Sequence, residues 1–221
     1  MKIKALFFAL FISISGFSQV FIESEGIVAV EAENFFKQEK DEIRKWVIFG
    51  DNITVNNQSG ISVESKTASN GKYIAVLPDT RITHDDKLIP GENFSNEPGK
   101  MAVVSYKILI KNPGKYYVWV RAFSTGSEDN GIHVGLNGSW SESGQRMQWC
   151  EGKNEWFWAS KQRTEKIHCG EEQLIFLDIP SSGEHIISFS MREDGFKFDK
   201  FILSKNYIMP EGKGVEAKIK N

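Results

Sequence analysis

Met101-Ala102-Val103-Val104-Ser105-Tyr106-Lys107-Ile108-Leu109-Ile110-Lys111, then Asn112-Pro113-Gly114, then Lys115-Tyr116-Tyr117-Val118-Trp119-Val120-Arg121 is the stretch that decides the fold class. Both flanks alternate and are rich in β-branched and aromatic residues, while Pro and Gly preset the dihedrals of a turn between them. Successive side chains of a strand point to opposite faces. Ala102, Val104, Tyr106, Ile108 and Ile110 therefore share one face of the first arm. Tyr116, Val118 and Val120 share one face of the second, with Tyr117, Trp119 and Arg121 on the other. The two arms read as a β-hairpin. Working outward, short β-rich runs recur at Ile27–Glu31, 73–77, Gly131–Leu136, 173–178, 184–191 and 196–203, separated by turn clusters and without any long helical pattern. That is the signature of an all-β, two-sheet antiparallel β-sandwich rather than of βαβ units.

The composition narrows the partners. A formal net charge of -2 with 25% charged residues and no block of one sign gives no field that would hold a nucleic acid or an anionic membrane. Lys2 and Lys4 precede an apolar run from Ala5 to Phe17 that ends in small residues, so residues 1–18 read as a signal peptide. The run is too short for a permanent span of about 30 Å, and no cysteine sits near the cut to take a lipid anchor. The expected organisation is a signal peptide at 1–18, one sandwich domain at 19–207 and a flexible tail at 208–221, in a secreted or periplasmic protein. Cys150 and Cys169 are the only thiols. Export puts them in an oxidising compartment, where they are expected to pair and close a loop of roughly 20 residues worth about 3 kcal/mol; the alternative is two buried free thiols.

Catalytic templates fail one after another. The chain holds no His-Glu-x-x-His, Gly-x-Ser-x-Gly or P-loop pattern. His168 and Glu171 beside Cys169 supply fewer ligands than zinc sites use. A glycosidase needs only two facing carboxylates, and nothing singles out a pair.

Two connections are unusually long, residues 78–100 and 137–170, and long loops in compact domains are usually functional. The second carries Trp140, Trp149, Trp156 and Trp158 amid Gly, Ser, Glu, Asn, Gln and Lys. Indole faces left in water suit stacking on the apolar face of a pyranose while polar neighbours bond its hydroxyls. The alternative is that these rings cap one end of the core. A further pattern is Val30-Glu31-Ala32-Glu33, whose two like charges on one side of a strand would be relieved by a hard divalent cation; two solvated acids on an edge strand are the alternative.

These stretches resemble a family. Val28-Ala29-Val30-Glu31-Ala32-Glu33-Asn34-Phe35, Gly114-Lys115-Tyr116-Tyr117-Val118-Trp119-Val120-Arg121, Ser182-Gly183-Glu184-His185 and Arg192-Glu193-Asp194-Gly195-Phe196-Lys197-Phe198-Asp199-Lys200-Phe201 follow the order and spacing of family 6 and family 35 carbohydrate-binding modules and malectin-like domains. The resemblance covers roughly residues 27–205. It implies a galactose-binding-like jelly roll with a structural calcium held by Glu31, Glu33 and Asp199, and a ligand site at the loop tips. There Trp156 matches the family tryptophan, and Lys197 stands where the family carries asparagine, a departure that would favour an anionic or heavily hydroxylated sugar. His84, in the 78–100 insertion that has no family counterpart, would line a neighbouring wall, and Trp119 and Arg121 a second site on the outer strand face; a covered strand face is the alternative for that pair.

The reading is an exported module that binds a polysaccharide or oligosaccharide without altering it, near a polysaccharide-degrading enzyme. Trp140, Trp149, Trp156 and Trp158 would stack on sugar, with Glu193, Asp194 and Lys197 as polar contacts. The rivals are a small secreted glycoside hydrolase or lyase, and an envelope or adhesion module that binds protein.

Overall fold

A computed structural model describes residues 19–56 and 58–220, so the expected signal peptide lies outside the described residues. Two sheets face each other. In the first, the strands run Val20–Ile22, Val103–Ile110, Gly183–Met191, Gly131–Leu136, Met147–Gln148, Lys161–Gln162 and Glu171–Glu172, with Lys37–Glu39 also on Val103–Ile110. In the second they run Trp156–Ala159, Gly114–Phe123, Lys197–Ser204, Lys72–Leu77 and Lys45–Gly50, with Phe176–Ile179 on Gly114–Phe123 and Ile27–Glu31 on Lys197–Ser204. The long pairings are antiparallel; only Val20–Ile22 joins its neighbour in parallel. This is the expected β-sandwich.

The expected hairpin is not one. Val103–Ile110 pairs with Gly183–Met191, and Gly114–Phe123 with Lys197–Ser204, so Asn112-Pro113-Gly114 carries the chain from one sheet to the other. The alternating pattern is satisfied either way, because it states only that each arm has one apolar face. Placing the arms in opposite sheets lets both faces bury against each other. Tyr106 meets Phe201 at 5.0 Å between ring centres, and Phe189 meets Phe198 at 4.8 Å, in tilted and edge-on contacts across the layer. The crossing corner is held by Glu23, which is fully buried. Its carboxylate accepts from the amides of Gly26 (2.6 Å), Lys111 (3.0 Å) and Asn112 (2.9 Å), and these bonds satisfy a charge that would otherwise be costly to bury.

Two expectations need revision. The 137–170 connection is not structureless, because Met147–Gln148, Trp156–Ala159 and Lys161–Gln162 extend both sheets. Residues 208–220 are not a loose tail. Residues 212–214 lie on the outer face of the second sheet, where Gly212 O accepts from Trp158 Nε1 (3.0 Å) and Lys213 Nζ donates to Ala68 O (2.9 Å), and 218–220 then pair with the first sheet's edge strand, Lys220 N and Lys218 O bonding Val20 O and Ile22 N at 2.8 Å each. Gly214 permits the approach, since its backbone is left-handed (φ +71°) and a Cβ there would sit 2.9 Å from Trp158. The tail docks because the outer face carries Ala29, Trp119, Trp158 and Ile202, an apolar patch that must be covered.

The predicted disulfide is present, Cys150 to Cys169 with Cα atoms 5.4 Å apart, and joins the strand ends on either side of the 151–168 excursion. Among the described residues no helix is long and apolar enough to cross a membrane.

Ending the chain after Tyr207 should expose Trp158 and Trp119, red-shift tryptophan emission and cost on the order of 3 kcal/mol, or about 6–12 °C in Tm. A spectrum and melt identical to those of the full chain would mean the tail is not docked. Replacing both cysteines by serine should lower Tm by a similar amount, about 3 kcal/mol in the chain-entropy account, and thiol titration of the unfolded, unreduced protein should find none free.

Candidate functional site

The four tryptophans do not form the expected open ledge. Trp149 is 1% exposed and packs on Phe196 with ring centres 5.1 Å apart in the main core. Trp158 is 5% exposed and lies under the tail. Trp156 is half-buried: its ring packs between Tyr73 and Phe123 with the Arg121 guanidinium 5.6 Å away, and its Nε1 donates to Glu64 O at 3.0 Å. Trp140 fills the space over Gly99, where a Cβ would come within 2.3 Å of its Nε1. The polarity of the surrounding loop misleads because the covering groups come from far away in sequence. The helix Val63–Thr67 closes over Trp156, and residues 208–214 close over Trp158.

The expected polar contacts are mostly internal struts. Asp194 is fully buried and accepts from Arg44 Nε (3.1 Å), Thr80 N (2.9 Å) and Thr80 Oγ1 (2.8 Å). Glu193 is buried between Arg192 and the Asn130 amide (2.9 Å), and burial raises its carboxyl above the ordinary range. Lys197 pairs with Glu64 at 2.6 Å and lies 4.9 Å from the Phe123 ring centre, so the position matching the family asparagine is closed by the Val63–Thr67 helix. Trp119 and Arg121 occupy the outer strand face as expected, but that face is covered; Arg121 is ion-paired to Asp199. His84 stands in the open beside Glu128 (3.3 Å), which Arg81 also pairs.

Glu31, Glu33 and Asp199 do come close together. Glu31 Oε1 takes Lys200 Nζ (2.8 Å) and Ser69 Oγ (3.0 Å), while Asp199 takes Ser69 N (2.8 Å) and Arg121. Two buried oxygens are left over, Glu31 Oε2 and Glu33 Oε2, with no hydrogen-bond partner among the described residues. Burial, reinforced by the charges of Glu31 and Asp199, pushes the Glu33 carboxyl up to about 7, and burial raises Asp199 to about 6. Among the described residues no three acid, imidazole or thiol side chains converge as a ready metal cage. The donor chemistry of the two orphaned oxygens fits a hard cation, whereas Lys200 and Arg121 already neutralise the other carboxylate oxygens. Neither basic residue had been assigned that role from the sequence.

A hollow lies elsewhere. A cleft of about 420 Å³ opens between the 78–100 insertion and the disulfide-bridged excursion, lined by Phe94 and Asn96 on one side, Arg163–Lys166 and His168 on the other, with Arg146 and Arg192 between them. A second hollow of about 310 Å³ shares Phe94, Arg163, His168 and Arg192 and runs on to Arg81 and His84. The walls are built from inside. Ser95 N donates to Arg192 O (2.8 Å) and Asp194 N to Asn93 O (3.1 Å), which lashes the insertion to the segment preceding Lys197–Ser204. Fully buried His133 ties both walls together, its Nε2 bonded to Ser95 O (3.1 Å) and its Nδ1 accepting from Arg146 N (3.0 Å). Burial lowers that imidazole to about 4, so the ring is neutral and serves one wall as donor and the other as acceptor. The Arg192 guanidinium lies 4.9 Å from the Phe94 ring centre. Sequence reading singled out both long connections and the cysteines that shape this cleft, but not its arginines. They sit on three separate segments, and only the fold makes them neighbours.

The family profile of the glycosyl hydrolase family 115 C-terminal domain matches residues 20–211. The chain is 58% identical over 188 residues to the uncharacterized protein P23 of Formosa agariphila, a match that covers 85% of this chain and 46% of that one, so the chain spans about half the length of this curated relative. Among solved structures it is similar to an exo-β-1,3-galactanase of Phanerochaete chrysosporium, with 16% identity over 80% of this chain and 28% of that one and a TM-score of 0.46. It is also similar to a family 35 carbohydrate-binding module of Clostridium thermocellum, with 13% identity over 80% of this chain and 96% of that one and a TM-score of 0.44. With the profile spanning nearly all of the sandwich, this carbohydrate-related β-sandwich belongs to the glycosyl hydrolase family 115 C-terminal domain family.

Proposed function

We propose that the chain is a non-catalytic saccharide-binding domain of an exported polysaccharide-degrading system, and that it holds sugar in the cleft between the insertion and the disulfide-bridged excursion. The observation that carries the reading is the cleft itself, a preformed hollow of about 420 Å³ with an aromatic side chain and several fixed polar groups, which is the general form of a small-ligand site. The family match supports the link to glycoside hydrolysis. Binding rather than turnover is favoured because two of the carboxylates beside the hollows, Glu128 and Glu193, are each ion-paired, to Arg81 and Arg192. The leader-like residues 1–18 and the disulfide support export. Shallow single sites of this kind hold sugar at about 10–100 μM, or about −5.5 to −7 kcal/mol.

The structural calcium is part of the same proposal. Its ligands would be Glu31 Oε2 and Glu33 Oε2, with Asp199, whose own oxygens are engaged, adding negative potential. The ion would satisfy two buried anionic atoms and remove the repulsion that raises Glu33.

Titration of the purified protein against a glycan panel, with reducing ends and unsaturated products followed in parallel, should show saturable binding and no new chain ends. Binding to no glycan, or turnover that vanishes on mutating one carboxylate, would overturn the reading. For calcium, the folded Glu33 carboxyl titrates above its unfolded value. Its contribution in calcium-free buffer is therefore full below about pH 4.5 and lost as pH rises through about 7. Calcium should restore that loss at pH 8, on the order of 1 kcal/mol or about 2–4 °C in Tm. Glu33→Gln should melt higher than wild type in calcium-free buffer at pH 8 and ignore added calcium. A wild-type melt that is the same with calcium and with chelator removes the calcium from the proposal.

A further inference from the structure

We infer that the cleft selects an acidic saccharide, with a carboxylate or sulfate group of the sugar seated against Arg146, Arg163 and Arg192. The inference rests on the saccharide-binding reading and names the ligand class of that same site.

The argument begins with charge. The whole chain carries a formal net charge of -2, so a positive hollow is a local arrangement and not a reflection of bulk composition. Arg146, Arg163, Lys166 and Arg192 line the cleft and Glu165 is the one acidic side chain on its wall. Among the described residues, Arg192 alone of these cations has an ion-pair partner closer than 3.5 Å, Glu193 at 2.5 Å. Arg146 has Glu142 at 3.9 Å, but that carboxylate is 84% exposed and its attraction is screened by water. Arg163 makes no ion pair among the described residues; its guanidinium reaches His168 Nε2 at 3.5 Å. Three guanidinium groups are drawn together against one close carboxylate, Glu193, so the charges of Arg163 and Arg146 act against that of Arg192. An oxyanion entering between them removes that repulsion.

Two of the three guanidinium groups also keep one donor unpaired. Nε of Arg146 and Nε of Arg192 are buried without a hydrogen-bond partner among the described residues, and Arg192 as a whole is 4% exposed. A guanidinium presents its N–H groups in a planar fork that matches the two oxygens of a carboxylate or two oxygens of a sulfate ester, and such charge-assisted bonds are about twice as strong as neutral ones. The arginines are also held in position. Arg192 is clamped by Glu193 and lies against Phe94, the backbone of Arg146 is fixed by His133, and the excursion that bears Arg163 is closed by the disulfide. Burial, with Arg163 and Arg192 adding to it, also lowers the His168 imidazole, as a positive hollow would. Phe94 completes the match, because its ring offers an apolar surface to the face of a sugar whose acidic group turns toward the arginines.

Calorimetry on the intact, disulfide-bonded protein tests this with three pairs of oligosaccharides. A polyuronic acid is set against its carboxyl-reduced form, a sulfated galactan against its desulfated form, and a neutral glucan pair serves as reference. The acidic member of at least one pair should bind ten-fold or more tightly than its neutral counterpart, and the pair that shows it identifies carboxylate or sulfate as the recognised group. Arg163→Gln and Arg146→Gln, each with an unchanged melt, should remove most of that ten-fold preference, whereas Glu165→Gln should strengthen acidic binding. Equal binding of acidic and neutral members would overturn the acidic selectivity and leave saccharide binding standing. A preference that survives both arginine variants, or polyglutamate binding as tightly as the acidic sugar, would overturn the assignment to this cleft and to saccharide. Binding of no oligosaccharide at all would remove the saccharide reading itself.

Discussion

The structure depends on one constraint: the apolar faces on either side of Asn112-Pro113-Gly114 can be buried only by facing each other across two layers. Val103–Ile110 and Gly114–Phe123 are consecutive in sequence yet belong to different sheets, and the aromatic contacts of Tyr106, Phe189, Phe198 and Phe201 fill the space between them. A core of this kind fixes the angle and spacing of the sheets, since close-packed side chains leave no latitude for sliding. Glu23 acts at the crossing, where its buried carboxylate replaces the ladder partners that Lys111 and Asn112 lose as the chain leaves one sheet for the other.

Once the core is closed, the outer face of the second sheet becomes the next problem. Trp119, Trp158 and Ile202 cannot face water as a patch; Tyr207 packs on Trp119, and the docked residues 212–214 cover Trp158 and Ile202. Beside that patch the same face carries Glu31, Asp199, Lys200 and Arg121, which neutralise one another where they stand. Two carboxylate oxygens remain outside this network, and the high Glu33 titration point measures the cost. The aromatic residues of this face and the Arg121–Asp199 and Lys200–Glu31 pairs are thus committed to packing and to one another, which explains why they are not free to hold a sugar there.

The cleft proposed to bind saccharide lies instead at the loop end. There buried His133 ties the 78–100 insertion to Arg146, whose O accepts from Arg163 N of the bridged excursion (2.9 Å), and Arg146 and Arg192 come up between the two walls. The tryptophan reading and the cleft share a premise, that polar loops on a rigid sandwich carry function. They differ in which side chains are left over after packing. Indoles are large apolar groups and are taken into the interior or under distant segments, while Arg146, Arg163 and Arg192 line the cleft, Arg192 buried there against Glu193.

Local pattern therefore determined the all-β class, the long central strands and the pairing of the two cysteines, because each rests on side-chain alternation, turn residues or the presence of just two thiols; it did not mark Lys45–Gly50 or the short strands inside 137–170. Only the tertiary structure decided that the Asn112-Pro113-Gly114 turn is a crossing rather than a hairpin, that Trp149 and Trp158 are inside, that Glu193 and Asp194 are struts, and that Arg146, Arg163 and Arg192 share one hollow. The reason is the same in every case. Burial and electrostatic environment are set by groups tens of residues away, and a sequence pattern records which face of a segment is apolar but not what comes to cover it.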